Sequence, residues 1–177
     1  MIKLPDLRQT KGYDCGAIVI QTILDYYGMD VREDKILKLT RTNKKKVTQT
    51  RDIERVFKKY GLKTKSGKFT IEEVKKFIDK KIPVILVLQA WAIKKEVDWK
   101  KDWKDGHYVI AIGYDKEKMY FDDPATIWKT YLTFDELKKR WHDVGGLKNK
   151  GKKYIHFGIV AYGKKRKFSE KKSVHMG

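Results

Sequence analysis

The sequence predicts an α+β fold in which N-terminal helices pack on an antiparallel sheet. Helix-period apolar stripes occupy the first half of the chain, whereas short β-branched and aromatic runs, punctuated by Gly, Asp and Pro, crowd into the second. Strands that largely follow one another, without helices alternating between them, favour antiparallel pairing over βαβ units. With 41% hydrophobic and 12% aromatic residues in 177, the chain can build one packed core even though 37% of it is charged.

The first helix is expected to start at Cys15, because Ile20, Ile23, Leu24 and Tyr27 recur at i, i+3, i+4 and i+7 and Gly28 supplies the stop. A second is expected near 33–39 and a third near 51–60, where Ile53, Val56, Phe57 and Tyr60 repeat the stripe before Gly61. Thr70 with Glu73, and Thr133 with Glu136, have the spacing of capping boxes, so helices should open there and run to about 80 and 141. Strands are expected at 83–88, 107–114, 118–122 and 154–162, with "YDKEKM" as the hairpin turn between the second and third. Residues 1–163 read as one domain and 164–177 as a basic C-terminal tail.

Composition narrows the function classes. A single cysteine forms no internal disulfide, and "MIKLPDLRQ" lacks the apolar run of a signal peptide, so a cytoplasmic location is expected. The longest apolar segment, "IPVILVLQAWAI", is too short to span a bilayer. No phosphate-binding or dinucleotide glycine pattern and no Cys/His cluster at zinc spacing is present, so no cofactor and no metal are expected. The formal charge of +19 is uneven: residues 148–172 hold ten Lys/Arg against one acid, Glu170. That pattern reads as a solvated basic face and tail with weak polyanion binding.

Cys15 sits where the first turn of a helix offers unpaired N–H groups and a positive dipole end, both of which favour a thiolate. Asp14 is the expected N-cap, and Gly16 is expected to leave room beside the sulfur for a substrate backbone. Taken alone, a cysteine here reads as a small apolar residue; partners decide otherwise. His107 opens the most strand-like segment and "FDDP" ends the next strand, so a hairpin would make His107 a neighbour of Asp122 and Asp123. Adjacent strand residues point to opposite faces, so only one of the two aspartates turns toward His107, and Pro124 favours Asp123. His142, His156 and His175 fit a base less well. Gln9, six positions before Cys15, carries a side-chain amide able to stabilise an oxyanion.

Together, Gln9, "DCG" opening a helix that ends "YYG", "HYVIAIGYD" and "DDP" resemble the papain-like cysteine peptidases that process double-glycine leader peptides of bacteriocins. The resemblance covers residues 5–125. It implies a papain-like fold, a peptide or protein substrate, Cys15 as nucleophile, His107 as general base and acid, Asp123 as its orienting group and Gln9 as oxyanion donor. Peptidases of that kind commonly precede membrane spans and a nucleotide-binding domain; neither follows here, and a stand-alone version is expected. Trp91, Trp99 and Trp103 lie just before His107; the i, i+4 spacing of Trp99 and Trp103 suits a packed helix face, and a flap over the cleft is the other reading. Three alternatives remain on sequence grounds: a papain-like acyltransferase, a non-catalytic peptide-binding module, and a nucleic-acid-binding protein using the tail with Lys44, Lys45 and Lys46.

Overall fold

The computed structural model describes residues 1–145, 151–170, 173 and 175. In chain order its elements are α1 (Cys15–Tyr26), α2 (Glu33–Thr40), α3 (Thr50–Lys59), β1 (Lys63–Lys68), α4 (Ile71–Asp79), β2 (Val84–Gln89), β3 (Gly106–Tyr114), β4 (Lys118–Asp122), β5 (Thr130–Thr133), α5 (Phe134–Arg140), β6 (His142–Val144), β7 (Lys153–Ile155) and β8 (Phe157–Tyr162).

Helix α1 buries more than one face. Ala17, Ile18, Val19, Ile20, Ile23, Leu24 and Tyr26 are all buried, as expected of a helix enclosed by other elements rather than lying on a surface. It is covered by α2, α3 and β3. Helix α3 turns Ile53, Val56 and Phe57 inward and leaves its other face charged. Helices α4 and α5 both open with complete capping boxes: Glu73 N–H donates to Thr70 Oγ1 at 3.1 Å, and Glu136 N–H to Thr133 Oγ1 at 3.2 Å.

Six strands form one antiparallel sheet in the order β1-β8-β2-β3-β4-β5, and β6 pairs with β7 separately. All six residues of β2 are buried, which explains its unbroken apolar run. The expected β3–β4 hairpin forms, pairing Ile110 with Asp122 and Tyr114 with Met119, with an irregularity between Ala111 and Gly113.

Four differences from the sequence reading have local causes. Strands β1, β5 and β6 were not expected: β1 is "KTKSGK", β5 is "TYLT", and both lie at sheet edges, where one neighbour suffices and little apolar surface is required. The single strand expected over 154–162 is broken at His156, whose φ of 51° turns the chain between β7 and β8 while its N–H bonds the Trp141 carbonyl at 2.9 Å. Trp99 and Trp103 lie on no helix; the 90–105 segment is a loop in which Arg140 stacks over the Trp99 ring at 3.9 Å and Trp103 packs on His142 at 4.5 Å. Lastly, the start of the basic tail is docked: the N–H groups of Lys167 and Phe168 donate to the Tyr26 carbonyl at 3.0 and 3.2 Å. Residues 146–150, 171, 172, 174, 176 and 177, which include four of the ten cations at 148–172, lie outside the described residues.

Candidate active site

Three segments converge: the start of α1, the start of β3 and the end of β4. Cys15, half-buried, is the first residue of α1. Asp14 occupies the N-cap position, but its side chain makes no cap bond; its carbonyl alone receives Ala17 N–H at 2.8 Å and Ile18 N–H at 3.0 Å. Among the described residues, the N–H groups of Cys15 and Gly16 have no hydrogen-bond partner. The first turn therefore keeps donors open beside the sulfur.

The fully buried Asp14 carboxylate turns away from the helix. Its Oδ2 accepts from Lys11 N–H at 3.0 Å and from the N–H and hydroxyl of Thr10 at 3.3 and 3.4 Å, tying down the loop that carries Gln9. Gln9 is bound at two more points. Its N–H donates to the Pro124 carbonyl at 2.9 Å and its Nε2 to the Lys11 carbonyl at 3.1 Å. A side-chain amide has two N–H donors, so one remains for another acceptor. The expectation that Gly16 leaves space for a substrate is corrected: a Cβ there would meet Thr48 Cβ at 2.5 Å, so Thr48 already fills it. Gly16 permits close packing of α1 on the 47–50 segment.

His107 and Asp123 meet as a buried pair, Nε2 to Oδ1 at 2.7 Å, with the residues 7% and 3% exposed. The strand register accounts for this. Ile110 pairs with Asp122, so continuing the ladder one step sets Asp123 beside Val109, and His107 lies two residues on, a diagonal neighbour on the same face. Asp122 points to the other face, where Lys129 Nζ binds its Oδ1 and Arg8 lies 4.0 Å away. Burial pushes the His107 pKa down, but hydrogen bonds to Asp123 and to Cys15, with the charges of both, outweigh it and lift the value to about 9. With Nε2 committed to Asp123, Nδ1 is the nitrogen left for the thiol. For Asp123, burial pushes upward, yet bonds from His107, Ala125 N–H and Trp91 hold the carboxyl below its usual range. Burial dominates at Asp122, whose carboxyl is raised in spite of Lys129.

A narrow cavity of about 50 Å³ adjoins Cys15, lined also by Thr48, Thr50, Gly106, Tyr108 and Asp143. Two glycines set its width: a Cβ on Gly106 would lie 2.5 Å from Asp143 Oδ1, and one on Gly145 would lie 2.5 Å from the Tyr154 ring. Asp143, raised to about 6 by burial against bonds from Val144 N–H and Gln89, is fixed by Gln89 Nε2 at 3.0 Å. On the far side of Asp123 a wider cleft of about 460 Å³ is walled by Trp91 and floored by Leu88, Val109 and Phe121. Sequence reasoning missed Thr48, Tyr108 and Asp143. The one available signal was Gly106, directly before His107. Among the described residues no group of three or more His, Cys, Asp or Glu is placed to hold a metal ion, and no helix is long and apolar enough to cross a membrane.

An imidazole bonded to a buried carboxylate and electrostatically coupled to a cysteine at a helix start is an arrangement suited to cysteine-based acyl transfer. Comparison with known proteins agrees in fold. The peptidase domain of Streptococcus ComA, a bi-functional ABC transporter involved in quorum sensing, superposes with a TM-score of 0.64 at 22% identity, covering 91% of this chain and 98% of that one. The double-glycine-motif protease of an AMS/PCAT transporter, solved in complex with the leader peptide, gives 0.63 at 17% identity, with 90% and 91% covered. A C39-like protein of Bacillus anthracis gives 0.65 at 17% identity, with 92% and 96% covered. No curated protein matches the chain. The mixed helix and antiparallel-sheet architecture is that of the papain-like C39 peptidase domains. Residues 3–153 match the Peptidase C39 family, and the chain belongs to that family.

Proposed function

We propose that this protein hydrolyses a peptide bond through a thioester on Cys15 and that its substrate is a leader peptide with small residues before the scissile bond. The observation that carries the reading is the buried His107–Asp123 pair, 2.7 Å apart, with the Cys15 thiol close enough to help raise the His107 pKa. Cys15 Sγ attacks the carbonyl carbon. The oxygen takes up the negative charge and is held by the open Cys15 N–H and the spare Gln9 amide hydrogen. His107, protonated on both ring nitrogens, gives its Nδ1 proton to the leaving amine as the C–N bond breaks. His107 then accepts a proton from water at Nδ1, the hydroxide adds to the thioester carbonyl, and the thiolate departs as the acid product forms. Asp123 stays ionised throughout and holds the ring in place. The narrow cavity, with glycines at 106 and 145 and about 50 Å³ of space, suits residues of glycine size next to the reacting carbonyl.

The test is cleavage of a peptide carrying a double-glycine leader, read by mass spectrometry. Hydrolysis after the second glycine, lost in Cys15→Ala, is the expected result. Cleavage retained in Cys15→Ala, or no cleavage of this peptide or of bulkier-residue analogues, refutes the reading.

A further inference from the structure

We propose that Trp91 is a positioning residue: its indole N–H fixes the Asp123 carboxylate, and through it the orientation of His107 toward Cys15. The effect on turnover rests on the peptidase reading above; the effect on the His107–Asp123 pair does not.

Asp123 Oδ1 carries two bonds, from His107 Nε2 at 2.7 Å and from Ala125 N–H at 2.9 Å. Those bonds hold Oδ1 and leave Oδ2 in need of donors of its own. The other oxygen, Oδ2, accepts from Trp91 Nε1 at 3.0 Å and from the Thr130 hydroxyl at 3.5 Å, the outer limit of such a bond. Trp91 is therefore the main donor to Oδ2 and, with the two bonds to Oδ1, completes the fixing of the carboxylate plane.

Packing alone does not account for where Trp91 sits. It is 56% exposed, yet its polar edge points inward, and its φ of 60° lies in the left-handed region that a bulky side chain rarely adopts. The loop base holds it there. Ala90 N–H donates to the Asp105 carbonyl and Asp105 N–H to Gln89 Oε1, both at 2.9 Å, so the two ends of the 90–105 loop are clamped where β2 ends. Trp99 and Trp103 anchor the loop to Arg140 and His142; Trp91 is the member of the three that reaches the candidate site.

The charged groups around the pair come from every neighbouring element. Cys15 approaches from α1, Asp122 and Lys129 bind each other beside Asp123, and Asp143 lies behind Gly106 on β6. None of these groups binds Oδ2. Removing the indole N–H is therefore expected to be felt at Asp123 and His107 together.

The experiment follows the His107 ring by NMR through a pH titration in a common Cys15→Ser background, comparing Trp91, Trp91→Phe and Trp91→His. Trp91→Phe keeps an aromatic ring without the donor, whereas Trp91→His restores a ring N–H and tolerates the backbone conformation better. Trp91→Phe is expected to lower the His107 pKa by about half a unit or more, with recovery in Trp91→His. With Cys15 restored, kcat falls on the order of tenfold at little-changed KM. An unchanged His107 titration in folded Trp91→Phe overturns the proposal, whatever happens to kcat. If the titration responds but none of the Cys15 proteins cleaves a peptide, the peptidase reading fails and the positioning role stands. Should Trp91→Phe fail to fold, the Trp91 indole N–H resonance of the otherwise unaltered protein decides: it should shift with the His107 titration and stop doing so in Asp123→Asn. A resonance indifferent to that titration overturns the proposal.

Discussion

Helices α4 and α5 begin in one way and α1 in another. At α4 and α5 a threonine hydroxyl accepts an orphan N–H, a glutamate returns the bond, and acidic residues fill the first turn. At α1 the N-cap side chain turns away, the first turn holds no acid, and the N–H groups of Cys15 and Gly16 have no partner among the described residues. Helices α2 and α3 also lack a side-chain cap, but Glu33 and Asp34 or Asp52 fill their first turns; of the five described helices, α1, which presents the thiol, alone has neither a side-chain cap nor a first-turn acid. In the proposed mechanism the donors at α1 remain for the anion that develops during reaction, and the Asp14 carboxylate, which makes no cap bond, organises the Gln9 loop instead.

The contrast is sharpest at Cys15. Cys15→Ala is expected to remove hydrolysis, a loss on the order of 10⁵-fold or more in kcat, with the melting temperature little changed because the residue is half-buried at a helix start. Residual cleavage at wild-type rate would place the chemistry elsewhere.

Next in size is the separation of the adjacent aspartates. Asp123→Ala is expected to lower kcat by on the order of 10² or more, whereas Asp122→Ala, which removes the partner of Lys129, should act mainly on stability. Steady-state kinetics with thermal melts compare them; a larger catalytic loss in Asp122→Ala reverses the assignment.

The pH dependence follows from His107. Its folded value is raised to about 9 from 6.5, so the imidazolium persists through neutral pH and kcat/KM should fall as pH rises through about 9. The same sign applies to stability: the contribution of the pair is fully present below about 6.5 and is lost as pH rises through about 9. In His107→Ala that alkaline loss of stability should disappear from the melting curves.

The smallest effects lie at the closed helix ends and in the tail. Thr70→Ala is expected to cost about 1 kcal/mol through loss of the cap, leaving kcat intact. Gly16→Ala forces Thr48 to move and should cost about 1–3 kcal/mol. If Thr70→Ala changes kcat as much as stability, the division between closed and open helix ends fails. Removing residues 171–177, beyond the docked Lys167 and Phe168, should weaken polyanion binding at low salt while hydrolysis persists.

Much of this was legible in the chain because it is local. The stripe of Ile20, Ile23 and Leu24, the two Thr-x-x-Glu boxes and the hairpin that brings His107 to Asp123 all follow from spacing within a few residues or across one turn. What escaped depends on partners distant in sequence. Strand β1 is polar and exists because β8 pairs with it; Gly16 is a packing glycine because Thr48 lies against it; Trp91 reaches Asp123 across 32 positions. Asp14 misled for a related reason: its sequence position suits a cap, but the competing N–H groups of Thr10 and Lys11 take its carboxylate.

The central claim is that Cys15, His107 and Asp123 act together on a peptide carbonyl. Its most direct test is labelling by an electrophilic peptide ending in Gly-Gly, such as a chloromethyl ketone, with the modified residue located by mass spectrometry and the rate compared among wild type, His107→Ala and Asp123→Ala. A single adduct at Cys15 is expected, forming on the order of 10²-fold or more slowly in both variants. An adduct forming at Cys15 as fast in folded His107→Ala as in the wild type would contradict it.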